Sequence, residues 1–169
     1  YASGESITTG VQNILIGGDA GDALTDADVN VAIGMQSLSA DTLGSKSVAV
    51  GAYTLIAQNF TSATDSLNTA VGHSAGGAIT TGTANTLIGG QSGDSLTDSD
   101  CNVASGVNTL GLETLGSRST GVGYSALFTQ NNTSATNASN TALGYVAGYS
   151  ITSGNHNTVI GNNAGSAIT

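Results

Sequence analysis

The chain has 169 residues and a net charge of −9, with only two basic residues, no proline and no tryptophan; 8% of it is charged and 4% aromatic. That balance argues against binding nucleic acid or an anionic membrane, and a lone cysteine, Cys101, builds neither a disulfide framework nor a zinc site. No apolar run in this sequence approaches the roughly 20 residues of a membrane span.

The first predicted strand is Asn13-Ile14-Leu15-Ile16-Gly17. The same five-residue unit recurs along the chain, closing at Gly34, Gly51, Gly72, Gly89, Gly106, Gly123, Gly144 and Gly161. The glycines are spaced 17, 17, 21, 17, 17, 17, 21 and 17 residues apart, so the steps themselves repeat as a block of 72. Sliding 8–79 onto 80–151 gives 40 identities in 72 positions without a gap, and the two basic residues, Lys46 and Arg118, fall on each other. Self-similarity at a fixed short period is the signature of a coil of stacked turns. The expected fold is an all-β parallel β-solenoid or β-roll of nine turns, of either hand.

One solenoid therefore covers 1–169, as a partial repeat 1–7, full repeats 8–79 and 80–151, and a partial repeat 152–169. It reads as a window of a longer repetitive polypeptide or one processed unit of it. Regular aliphatic positions set it apart from the disorder that a Gly/Ser-rich composition otherwise suggests. With the closing glycine as position zero, position −4 is Asn13, Asn30, Asn68, Asn85, Asn102, Asn140 or Asn157, and Ser47 or Ser119 in the two other turns. Positions −3 and −1 are mostly β-branched, and −2 is mostly alanine.

Alternation of this kind is a strand with one bulky and one small face. The expectation is that −3 and −1 point inward and that the small Asn-Ala-Gly face points outward. Leu15, Leu87 and Val159 at −2 would then be large apolar residues on an outer face, implying cover by another chain. The opposite polarity, with an internal asparagine ladder, is also compatible with the pattern. Cys101 aligns with Val29 and is expected to be a small buried residue.

Beyond each glycine, turns with Gly at +4 carry an aliphatic residue at +7, and turns with Leu at +4 carry Asp41, Gln58, Glu113 or Gln130 there. At a spacing of ~4.8 Å per turn, nine turns make a rod of about 43 Å and the 72-residue block about 19 Å. The two 21-residue turns should bulge around 58–65 and 130–137, because extra residues do not fit a fixed perimeter. These bulges hold every Asn-x-Ser/Thr acceptor in the chain, at Asn59, Asn131, Asn132 and Asn137, and are candidates for glycosylation.

Stretches such as 68–76, Asn-Thr-Ala-Val-Gly-His-Ser-Ala-Gly, and 140–148, Asn-Thr-Ala-Leu-Gly-Tyr-Val-Ala-Gly, resemble the repeats of bacteriophage tail-fibre and related surface-fibre proteins. More distantly they are similar to the head repeats of trimeric autotransporter adhesins. The resemblance covers all nine turns. It implies a parallel β-roll, commonly a homotrimer, in an extracellular, cell-surface or virion-surface fibre. In those proteins such repeats often precede a self-cleaving chaperone domain.

Among single residues, Asp22, Asp26 and Asp28, with their equivalents Asp94, Asp98 and Asp100, are the candidates for holding a hard cation such as calcium. The competing reading is a solvated acidic corner that limits lateral aggregation, and no cofactor is otherwise expected. His73 and His156 occupy different repeat positions, and no nucleophile–base–orienter set assembles. The expected function is that of a structural, non-enzymatic fibre segment, a stiff spacer or display rod. An adhesin that binds a surface carbohydrate or protein receptor is the alternative, and an ice-binding solenoid the third.

Overall fold

Each asparagine-to-glycine unit supplies a three-residue strand, and in a computed structural model describing residues 2–168 these strands stack into a single sheet. The elements are β1 (Ile14–Ile16), β2 (Val31–Ile33), β3 (Gly44–Ser45), β4 (Val48–Val50), β5 (Thr64–Asp65), β6 (Thr69–Val71) and β7 (Thr86–Ile88). They continue as β8 (Val103–Ser105), β9 (Gly116–Ser117), β10 (Thr120–Val122), β11 (Thr136–Asn137), β12 (Thr141–Leu143) and β13 (Thr158–Ile160). The nine-stranded sheet runs β1-β2-β4-β6-β7-β8-β10-β12-β13, parallel throughout. Its register is one full turn, as in Leu15 opposite Ala32 and Ala70 opposite Leu87. The chain is an all-β parallel β-solenoid of nine turns. The short strands β3 and β5, and β9 and β11, form two further parallel pairs where the long turns rejoin the stack.

The closing glycines stack on one another with φ between 126° and 141°. A Cβ at Gly51 would stand 2.6 Å from the Gly72 carbonyl oxygen, so only glycine lets the turns close to sheet spacing. Two more positions per turn are left-handed without being glycine: position −5 (Val29, φ 59°; Lys46, φ 61°; Cys101, φ 59°) and position +2 (Tyr53, φ 60°; Asn163, φ 56°). Position +4 is left-handed too, as glycine or leucine. These corners bend the strand-like perimeter into a coil.

The strand faces are the reverse of the expectation. Position −2 points inward: Ala32, Ala49, Ala70, Leu87, Ala104 and Ala142 are fully enclosed. Positions −3 and −1 point outward, with Ile16 58% and Ile160 66% exposed. The reason is volume. A 17-residue coil encloses a narrow core, of which positions −2 and +4 share one part and the aliphatic residues at +7, such as Leu24, Ile79 and Leu96, fill another. Where −2 is Leu15 or Leu87, position +4 is Gly21 or Gly93, whose added Cβ would meet that leucine at 2.8–2.9 Å. Where −2 is Ala32, Ala49 or Ala104, the enclosed residue at +4 is Leu38, Leu55 or Leu110. Leu15, Leu87 and Val159 belong to this core, so they need no covering chain, and the small face is not an assembly surface. Each fully enclosed leucine contributes about 1.5–3 kcal/mol, which one turn alone cannot set against its ordering entropy; stability comes from stacking.

The asparagines also point inward, as the alternative polarity required. Asn30 Nδ2 donates to the Gly44 carbonyl at 2.9 Å, closing its own turn, and Asn30 Oδ1 accepts from the Ser47 N–H at 2.8 Å, holding the next. Asn85 and Asn102 repeat both bonds, to Ser99 and Asn102 and to Gly116 and Ser119. Each enclosed amide thereby satisfies backbone groups at a corner that the sheet leaves unpaired. Cys101 is exposed rather than buried, because position −5 is an outer corner.

Candidate functional site

The outward face of the nine-stranded sheet carries two columns. Position −1 is Ile16, Ile33, Val50, Val71, Ile88, Ser105, Val122, Leu143 and Ile160, and position −3 is Ile, Val or Thr in every strand. No charged residue stands in either column. Parallel, in-register pairing makes the two columns straight, and their side chains are half to two-thirds exposed at Ile14, Ile16 and Ile160.

A second set of unusual groups lies inside. Asp41 and Glu113 are fully enclosed at +7, where the turns with Gly at +4 have an aliphatic residue. Asp41 Oδ1 accepts from the Gly44 and Phe60 N–H groups at 3.0 Å each, and Oδ2 accepts from Gln58 Nε2 at 2.6 Å. Gln58 also donates to Ser47 Oγ at 2.8 Å and accepts from Asn68 Nδ2 at 2.9 Å. Glu113, Gln130, Ser119 and Asn140 repeat the arrangement one block later, with Asn132 in the place of Phe60 giving the same backbone donor and adding a side-chain donor to Glu113. Gln58 and Gln130 thus stand in for the asparagine missing at Ser47 and Ser119. The signal was in the sequence: serine at −4 occurs only in the turns with glutamine at +7. Closed to solvent and fully hydrogen-bonded, these clusters hold the long turns in place and present nothing to a substrate.

The long turns are accordingly tied in at their start and open only beyond it. Gln58, Phe60, Gln130 and Asn132 are buried, whereas 61–63 and 133–135 are exposed. Of the candidate glycosylation asparagines, Asn59, Asn131 and Asn137 are exposed. Asn132 is not available, since it is 6% exposed and its Nδ2 is bound to Glu113 at 2.8 Å.

The acidic residues are spread along the stack. Asp28 Oδ1 accepts from the Val11 N–H at 2.8 Å and Asp100 Oδ1 from the Thr83 N–H at 2.7 Å, while Asp26 and Asp98 accept from the hydroxyls of Thr9 and Thr81. Each carboxylate therefore ties its turn to the preceding one, and among the described residues no group of three potential ligands converges on a point. Burial pushes the Asp94 carboxyl above its usual range, partly offset by a backbone hydrogen bond. Its equivalent Asp22 has one enclosed oxygen, Oδ1, without a hydrogen-bond partner.

The chain breaks its own periodicity in its aromatic residues. Tyr124 and Tyr145, both at +1, stack at 5.4 Å between ring centres with 13° between planes, and Phe128 and Tyr149, both at +5, do the same at 5.4 Å and 15°. In the preceding block the corresponding residues are Ala52, His73, Ile56 and Gly77, and His73 instead meets Tyr53 edge-on. Beside the rings of Tyr145 and Tyr149 is an open hollow of about 350 Å³, lined also by Val146, Ser150, Asn163 and Ser166. His156 is exposed at a −5 corner, away from His73 in the stack.

No described helix is long and apolar enough to cross a membrane. No family model matches the chain, and no curated protein or solved structure matches it either.

Proposed function

We propose that the chain is a non-catalytic spacer segment of an extracellular or virion-surface fibre, in which the outward Ile/Val/Thr face packs against further copies of the same chain around a common axis, as a homotrimer. The observation that carries this is the pair of straight, uncharged columns at −3 and −1. Soluble monomers rarely expose a contiguous apolar patch beyond a few hundred Å²; here the −1 column is aliphatic along the whole sheet except at Ser105, and the −3 column beside it is Ile, Val or Thr. Its ridges recur every ~4.8 Å, a spacing that another copy of the chain reproduces along its whole length. The resemblance to tail-fibre repeats points to the same trimeric rod. The repeated, enclosed polar clusters and ladders fit a part made for length and stiffness, with unlike surfaces displayed along it.

Sedimentation equilibrium tests the assembly. The chain should run as a trimer, and Ile33→Arg and Val71→Arg should yield folded monomers, whereas Ala70→Arg, which places a charge in the core, should unfold the coil. A wild-type monomer would contradict the proposal. That outcome would favour an ice-binding surface, since Thr69, Thr86, Thr120, Thr141 and Thr158 all face outward in one column; thermal hysteresis by the monomer would establish it.

A further inference from the structure

We propose that the hollow beside Tyr145 and Tyr149 is a binding subsite for a neutral saccharide ring. The inference does not rest on the spacer reading, because the hollow lies past the closing glycines rather than on the sheet.

Two aromatic ladders run side by side for two turns and then stop. The +1 column goes Tyr124, Tyr145, Asn162, and the +5 column goes Phe128, Tyr149, Ser166. The rings of the last pair therefore each lack a stacking partner on the side of the final turn, and Tyr145 and Tyr149 are 56% and 37% exposed. The empty rung is the hollow, and its volume of about 350 Å³ is at the small end of the range for ligand sites.

Its lining sets the chemistry. Two phenol rings offer flat, electron-rich faces to the polarised C–H groups of a sugar, and their hydroxyls bond at the rim. Ser150, Asn163 and Ser166 add hydroxyl and amide partners that both donate and accept. No charged residue lines the hollow, so a neutral polyhydroxy ring suits it better than an anion or a cation. The absence of these aromatics from the preceding block makes the subsite a local addition to a scaffold that otherwise repeats.

The test is saturation-transfer NMR on the intact chain, using methyl glucoside, methyl galactoside and N-acetylglucosamine as probes at millimolar concentration. At least one should receive saturation from tyrosine ring protons. Tyr145→Ala and Tyr149→Ala should each weaken binding about tenfold, while Tyr53→Ala leaves it unchanged. A second pair of variants guards against loss of fold. Asn162→Tyr and Ser166→Tyr fill the missing rungs, and each should abolish binding in a chain that keeps its circular dichroism and melting temperature. Transfer to none of the sugars, transfer that survives both rung-filling variants, or tighter binding of phenol than of every sugar would overturn the proposal.

Discussion

The Gln58 side-chain amide donates to the Asp41 carboxylate at 2.6 Å, and neither residue is open to solvent. It is the only partner of Asp41 Oδ2 among the hydrogen bonds of the described residues, whereas Glu113 Oε2 in the next block is held by both Gln130 and Asn132. The two long turns are thus anchored alike but not equally. Gln58→Leu strands an enclosed carboxylate oxygen and should cost about 3 kcal/mol. Gln130→Leu should cost less. Urea midpoints of the two variants, compared with wild type, check the order; equal losses would contradict it.

Stacking of the closing glycines makes a graded prediction. At Gly51 an added Cβ meets backbone at 2.6 Å, while at Gly161 the nearest atom, the Ala164 Cβ, is 3.6 Å away. Both positions have positive φ, so both alanine variants are strained. Gly51→Ala must in addition push two turns apart. It should lower stability by clearly more than Gly161→Ala, whose cost is the roughly 1–3 kcal/mol of holding alanine in a conformation that only glycine adopts readily. Chemical denaturation of the two variants decides it.

Val29 is a β-branched residue at φ 59°, 45% exposed on an outer corner. The left-handed conformation costs such a residue roughly 1–2 kcal/mol, and asparagine tolerates it far better. Val29→Asn should therefore raise stability by about 1 kcal/mol, seen as a higher urea midpoint. An unchanged or lower midpoint would mean that the corner is not left-handed in solution.

Desolvation raises the Asp94 carboxyl pKa in the folded chain. A raised acid binds its proton more tightly folded than unfolded, so this residue favours the fold more as pH falls through the folded pKa toward the unfolded one, and the ionised form costs stability above that window. Asp94→Asn should be more stable than wild type at neutral pH, with the difference shrinking in mildly acidic solution. A difference that grows on acidification would contradict the assigned cause.

The coil, its nine turns and the strand positions were all legible in the glycine schedule, because only glycine meets the geometry at the stacking point. Which strand face points inward was not. Isoleucine and valine at −3 and −1 carry the ordinary marks of a core, and alanine at −2 those of a surface or a close contact. The deciding signal was volume compensation: Leu15 with Gly21, Ala32 with Leu38, Leu87 with Gly93, Ala104 with Leu110. Such pairs make sense only if −2 and +4 share one enclosed space. The pairing of Ser47 with Gln58 and of Ser119 with Gln130 carried the same kind of information about the polar interior. Cys101 gave no such clue, since position −5 accepts Gln, Val, Lys, Leu, Ala, Cys, Arg, Ser and His alike. The aromatic ladders were readable as Tyr124 with Tyr145 and Phe128 with Tyr149, each pair one long turn apart, but the hollow beside them needed coordinates.

The length of the rod is set by the number of stacked turns. Removing residues 8–79 rejoins the chain in phase and takes out one 72-residue block while keeping the Tyr145–Tyr149 hollow. Small-angle X-ray scattering on the shortened and full chains measures the result directly. The shortened chain should be a folded rod of the same cross-section, shorter by about 19 Å, four turns at ~4.8 Å each. A chain that unfolds, or a particle whose cross-section changes instead of its length, would contradict it.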